Sequence, residues 1–194
     1  AGGQENTAVG NYALDALTSG DSNIAIGYNA LTGLTTGSNN TVVGKDAAAG
    51  AVMTGSDNTF MGKDAGQAIT SAANNVIVGS AAGIAVTTGG NNVVVGMEAG
   101  KALAGGTENV LVGFQAGRLI VGASSNTAIG NEAMENNTAA NNIAVGVKAM
   151  RANTSGTRNT AIGFEAYIGS DTENDNLAIG YAAMTTNTAG GTLN

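Results

Sequence analysis

Among the residues of this chain that could do chemistry, the carboxylates stand out, because histidine and cysteine are both absent. Without an imidazole or a thiol the usual catalytic groups are missing, and a carboxylate pair, as in glycoside hydrolysis, is the catalytic arrangement to consider. Glu98, Glu132 and Glu165 each lie two residues after a recurring glycine. Other copies hold Asp46, Asp64, Gln115, Lys148 and Ala182 at that place. A column that accepts lysine and alanine predicts a solvated rim, so we expect no enzyme and no cofactor. A carboxylate pair shared between chains is the minor alternative.

Metal, nucleic-acid and membrane binding are also disfavoured. Calcium-binding repeats of the toxin type need Gly-Gly-x-Gly-x-Asp nonapeptides, and none occurs, so we expect no metal site. The net charge of −7 argues against binding to nucleic acid or to an anionic membrane surface. No apolar run approaches the length of a membrane span, so we expect no membrane insertion in this segment.

The residue directly after the recurring glycine is the candidate contact position. It is Lys45 in one copy and Phe114 in another, which predicts that this column reaches solvent or an adaptable edge. Two apolar strips arise in consecutive copies: Met97 with Phe114, and Val147 with Phe164 and Tyr181. Such strips suit stacking on sugar rings or insertion into a partner protein. Alternatively they close the seam between neighbouring chains, which is the interpretation that we favour.

The element that must position these residues is a short repeat with the skeleton Asn-x-x-x-Gly-x-x-Ala. Steps of 16 to 18 residues, mostly 17, separate its copies. The copies start at Asn6, Asn23, Asn40, Asn58, Asn75, Asn92, Asn109, Asn126, Asn142, Asn159 and Asn176. Residues 1–194 are therefore expected to form one repeat array of about eleven coils. Both ends fall inside a repeat, so we expect this array to be a window of a longer chain.

Each copy is predicted to contain one short β-strand. The three residues between Asn and Gly are Thr, Val, Ile, Leu, Ala, Phe or Met throughout, and the small polar segments between copies suit turns. The Gly should supply a corner with positive φ or a close approach, and stacked Asn amides could form a ladder. We therefore interpret the skeleton as structural corners, such as Asn126, Gly130 and Ala133, and Asn159, Gly163 and Ala166. A carbohydrate-binding Asn row is the functional alternative.

A trade in size predicts two interior positions that touch. Where the middle strand residue is Ala, as at Ala128, the residue after the recurring Ala is large, as at Met134. Where the middle residue is bulky, as at Phe60, the later residue is small, as at Gly66. All eleven copies follow this rule, which is expected of two side chains that share one space in a close-packed interior.

The first and third strand residues point away from the middle one, yet they too are mostly apolar. A single solenoid would therefore expose a long hydrophobic stripe unless another chain covered it. We expect the chain to oligomerise around a parallel axis.

The strings Asn126-Thr127-Ala128-Ile129-Gly130 and Asn159-Thr160-Ala161-Ile162-Gly163, each followed by two residues and Ala, resemble known repeats. They are similar to the head repeats of trimeric autotransporter adhesins of the YadA type and to related repeats of bacteriophage tail fibres. The resemblance covers the whole chain. It implies a left-handed parallel β-roll, assembled as a parallel homotrimer, displayed on a bacterial surface or a virion and used for attachment.

The expected function is thus that of an extracellular trimeric fibre segment for attachment to a host or surface. Its partners would be its own copies and a cell-surface glycan or protein receptor. One alternative is a purely structural shaft with recognition elsewhere. A minor alternative is an ice-binding solenoid, because the first strand position holds threonine in five copies: Thr7, Thr41, Thr59, Thr127 and Thr160. Aliphatic residues in the other copies interrupt this row of threonines.

Overall fold

The computed structural model describes residues 2–169 and 172–185, and shows an all-β chain built from eleven three-residue strands. The strands are β1 (Thr7–Val9), β2 (Ile24–Ile26), β3 (Thr41–Val43), β4 (Thr59–Met61), β5 (Val76–Val78), β6 (Val93–Val95), β7 (Val110–Val112), β8 (Thr127–Ile129), β9 (Ile143–Val145), β10 (Thr160–Ile162) and β11 (Leu177–Ile179). They form one parallel sheet in sequence order. The predicted parallel β-solenoid is confirmed, with about ten turns of about 17 residues.

The strand register is the same at every step, so each of the three strand positions forms a column along the sheet. The step of 18 residues after Asn40 and the step of 16 after Asn126 keep this register. The turn before β4 takes up the extra residue, where Val52 is exposed and Met53 is buried and bridges to Leu34. A slip of one residue would turn the buried middle residues to the outside, so the turns absorb the variation instead.

The core is one continuous column of side chains that runs through the stacked coils. From β2 onward it contains the middle strand residues, together with most of the recurring alanines and the residues that follow them. A further buried position, three residues later, holds Ile69, Val86, Leu103 and Ile120. This fourth buried position was not predicted, because it lies in a segment that otherwise has turn composition.

The predicted size trade corresponds to direct contact. A β-carbon added to Gly66 would lie 3.3 Å from the ring of Phe60, and one added to Gly83 would lie 2.8 Å from Cδ1 of Ile77. The bulky middle residue therefore fills the space that a larger later residue would need.

The stacked asparagines form a ladder inside the solenoid. Asn92 is fully buried, and its Nδ2 donates to Asn75 Oδ1 at 3.0 Å and to the carbonyl oxygen of Gly106 at 2.9 Å. Its backbone N–H donates to the same Oδ1 atom at 3.0 Å. The next residue of the row, Asn109, repeats this pattern toward Asn92. The amides thus satisfy backbone groups of the turns that have no partner in the sheet.

Candidate assembly and attachment surface

The first and third residues of each strand form what we call the outward face. In β2 to β11 they alternate with a buried middle residue, so they point to the opposite side of the sheet. Ile129 in β8 is 40% exposed and Ile143 in β9 is 43% exposed, whereas the middle residues of these strands, Ala128 and Ala144, are fully buried. The structure therefore presents apolar side chains on both sides of the sheet.

The outward face is continuous and uncharged. In all eleven strands its two positions hold only Thr, Val, Ile, Leu or Met. Ten inter-strand steps give the face a length of ~48 Å at the usual strand spacing. Contiguous exposed apolar surface of this extent is uncommon on soluble monomers and marks interaction sites.

The residues after the recurring glycines lie exposed beside the outward face. Met97 is 50% exposed and Phe114 is 37% exposed, and they belong to adjacent coils because Gln115 N–H donates to the carbonyl of Met97 at 3.0 Å. The structure thus brings this predicted pair together. Asn131 occupies the next coil of the column and separates the pair from the second strip.

Val147, Phe164 and Tyr181 make up the second strip. Backbone hydrogen bonds from Glu165 to Val147 and from Ala182 to Phe164 place all three in consecutive coils. The rings of Phe164 and Tyr181 are stacked, with centroids 5.4 Å apart and planes 6° apart. One-coil spacing therefore aligns two aromatic rings on an open edge.

A third cluster on this edge was not grouped by the sequence analysis. Tyr28 occupies the position after Gly27, and its ring contacts Tyr12 edge-on at 5.9 Å between centroids. The ammonium group of Lys45 lies 5.9 Å from the Tyr28 centroid. The signal was present in the column itself, but Tyr12 lies one position later in its own coil, so reading the column alone separates the two tyrosines.

The residues interpreted as corners line the inside and the bends of the coil. Ala133 and Ala166 are fully buried. Gly130 has φ of +139°, and a β-carbon there would collide with the carbonyl of Gly146 in the next coil. Gly163 has the same conformation, with φ of +136°. Both the positive φ and the close approach therefore require glycine.

Asn159 keeps the side-chain hydrogen bond to a turn carbonyl, whereas Asn126 does not. The Nδ2 atom of Asn159 donates to the carbonyl of Glu173 at 2.7 Å. The Nδ2 atom of Asn126 is buried without a partner among the described residues, because Asn137 donates to the carbonyl of Ala139 at 2.8 Å, which the row would otherwise use. Since the row is buried, a glycan outside the solenoid cannot reach it.

Ion pairs join the column expected to be a solvated rim, and the position three residues after it, across the coils of β6 to β9. Glu98 contacts Lys101 at 2.7 Å and Arg118 at 3.3 Å, and Glu135 contacts Arg151 at 2.7 Å. The hydrogen bond from Lys101 is the largest cause that lowers the pKa of Glu98 to about 2. The carboxylates and cations are therefore arranged as a charge ladder that ties neighbouring coils together.

Residues 2–169 and 172–185 contain no pocket and no group of three or more His, Cys, Asp or Glu side chains that could hold a metal ion. Over the same ranges we find no helix with the length and apolar character needed to cross a membrane. Comparison of the chain with protein-family models, with curated proteins and with solved structures found no match.

Proposed function

We propose that this chain is a segment of an extracellular trimeric fibre that attaches to a host or surface, and that it has no catalytic activity. In this proposal the solenoid is a left-handed β-roll, and three copies lie in parallel with their outward faces covered by one another. The single observation that carries the proposal is the outward face, an uncharged apolar surface that runs along all eleven strands.

A second copy of the chain is the partner that fits this face best. The surface that covers it must be equally long, equally narrow and free of charge, and it must repeat at the strand spacing. The outward face of another copy has all of these properties. Isolated parallel sheets are normally covered on both sides, which supports burial of this face in the assembled fibre.

In this proposal attachment uses the edge beside the outward face, although the sequence favours a seam between chains for the apolar strips of that edge. The exposed strips of Met97 with Phe114 and of Val147 with Phe164 and Tyr181 offer flat apolar groups to a glycan or a protein receptor. In the alternative function, a purely structural shaft, the same strips close the seam between copies and recognition lies elsewhere.

Light scattering tests the assembly. Three times 18.8 kDa gives about 56 kDa for the expected particle. Val95→Lys, in the middle of the outward face, should lower that mass, whereas Ser71→Lys, at an exposed turn, should leave it unchanged. A stable wild-type monomer at micromolar concentration would contradict the proposal. If that monomer also slowed ice growth, the ice-binding alternative would be favoured.

A further inference from the structure

Over β4 to β10 the sizes of the two outward-face residues of a strand are related, and in three of these strands, β5 to β7, both residues are Val. When the third residue is Met or Ile, the first is the smaller Thr: Thr59 with Met61, Thr127 with Ile129, and Thr160 with Ile162. When the third residue is the smaller Val, the first is Val or Ile: Val76 with Val78, Val93 with Val95, Val110 with Val112, and Ile143 with Val145. Seven consecutive strands follow this rule.

The trade is confined to those strands. In β1 and β3 both residues are small, as in Thr41 with Val43, and in β2 both are large, as in Ile24 with Ile26. The last strand, β11, also pairs two large residues. The first three strands and the last one therefore lack the constraint that acts on β4 to β10.

A size trade needs an enclosed space, and the single chain does not provide one. Met61 is 49% exposed and Ile162 is 39% exposed, so the single chain leaves a large part of each side chain open to solvent. Inside the solenoid the same kind of trade, between Phe60 and Gly66, reflects close packing. The trade on the outward face therefore indicates that another surface encloses it over β4 to β10.

Rotation about an axis parallel to the solenoid explains why the two positions of one strand are linked. Such a rotation keeps each strand at its own height. It also brings two different edges together. The edge of the outward face that carries the first strand residues of one chain lies against the edge that carries the third strand residues of the neighbouring chain. Each layer of the interface then contains one strand's first residue from one chain and the same strand's third residue from its neighbour.

We propose that copies of this chain meet over β4 to β10 in exact register, with the first residue of each strand packed against the third residue of the same strand in the neighbouring copy. This inference rests on the assembly put forward as the proposed function. A stagger of one coil would place Ile143 against Ile129 and Thr127 against Val112, which overpacks one layer and leaves a gap in the other. The size trade thus selects a closed ring over a staggered filament.

Swapping sizes within one layer tests the contact. Thr127→Ile should overpack against Ile129 of the neighbour and raise the dissociation constant of the assembly about tenfold or more. The double variant Thr127→Ile with Ile129→Val should restore assembly, because it reproduces the pair of Ile143 and Val145. Sedimentation equilibrium measures both constants.

The sign of the first effect separates this proposal from a surface effect. On a strand face open to solvent, Thr→Ile is neutral or favourable, because both residues are β-branched. The matched control is Thr54→Ile, at an exposed turn outside the outward face, which should leave the dissociation constant unchanged. Normal assembly of Thr127→Ile, or no recovery in the double variant, would overturn the register proposal, while assembly of the wild type would still support the proposed function.

Cysteine cross-linking tests the register independently, since the natural chain has no cysteine. Chains carrying Thr127→Cys and chains carrying Ile129→Cys, distinguished by their tags, are co-assembled and oxidised with copper phenanthroline. A mixed disulfide is expected for this pair and not for Thr127→Cys with Val112→Cys, one coil away. Equal cross-linking of both pairs, or preference for the second, would contradict exact register.

Discussion

The buried asparagine row stabilises the solenoid through hydrogen bonds. Its members do not all make the same number of these bonds, as Asn92 and Asn126 show. Asn92 donates through Nδ2 to two oxygens and accepts through Oδ1 from Asn109. Asn126 accepts through Oδ1, but its Nδ2 atom has no partner within the described part of the chain. The same residue type at equivalent positions should therefore contribute different amounts to stability.

Replacing Asn92 with Ala should lower the free energy of unfolding by about 1–3 kcal/mol more than replacing Asn126 with Ala. The physical reason is that Asn92→Ala leaves the carbonyl of Gly106 buried without its donor, whereas loss of the Asn126 Nδ2 atom removes an unsatisfied group. Urea unfolding of both variants and of the wild type measures the difference. Equal losses would show that the row acts through shape alone.

The interior size trade gives a second prediction for single residues. Ala128→Phe should destabilise the chain by roughly 1–3 kcal/mol, because the new ring overpacks against Met134. Met134→Gly in the same chain should recover much of that loss, since the pair would then copy Phe60 with Gly66. The double variant and both single variants are compared by urea unfolding. A double variant no better than the sum of the single ones would show that the two positions do not touch.

Among the elements, the strands and the asparagine row could be predicted from sequence because they repeat in every copy. The turns could not. Glu98 and Lys148, for example, adopt left-handed conformations with φ of +56° and +57°, although neither residue type favours that region. The stacking of identical coils imposes the conformation, and no local preference signals it. The buried Asn137 likewise replaces an aliphatic residue and carries no sequence signal of its own.

The charge ladder also had no sequence signal, because its partners lie in different coils. Glu98 is followed by Lys101 in its own coil, but Arg118 reaches it from the next coil along the chain. The carboxylate column alone predicts a solvated rim. The pairing depends on the position three residues later, which holds a cation in three successive or nearby coils, at Lys101, Arg118 and Arg151, but a carboxylate at Glu135.

The ladder predicts an acid dependence of stability. The pKa of Glu98 is lowered to about 2 in the folded chain, whereas an unfolded glutamate titrates near ~4.3. The stabilisation should be fully present above the unfolded pKa and should be lost as the pH falls toward about 2. The difference in melting temperature between the wild type and Glu98→Gln should therefore be largest near neutral pH and vanish in strong acid.

A control for this pH series is Asp15→Asn, which removes an exposed carboxylate outside the ladder. Its melting temperature should follow that of the wild type at each pH. A Glu98→Gln variant that matches the wild type at neutral pH would show that the ladder contributes nothing to stability.

For the whole molecule, the solenoid separates two surfaces with different composition, to which we propose different tasks. The outward face is uncharged along its full length, while the edge beside it varies from Lys45 to Phe164 between coils. A surface that must pack against identical copies favours uniformity, and a surface that contacts a receptor can vary along the fibre. A uniform face beside a variable edge is more consistent with the proposed attachment fibre than with a solenoid whose outward face is only exposed to water.

The last prediction decides whether the aromatic edge binds a receptor or closes the seam between copies. Phe164→Ser with Tyr181→Ser removes the stacked pair, whose rings are 43% and 80% exposed in the single chain. If the pair binds a receptor, adsorption to host cells or to a glycan array should fall while the melting temperature of the assembly stays the same, because exposed rings contribute little to the fold. Leu119→Ser with Val121→Ser removes exposed apolar groups elsewhere on the coil and should change neither quantity. A large drop in melting temperature for the aromatic variant alone would instead place the two rings between copies, and the segment would then act as a shaft at this edge.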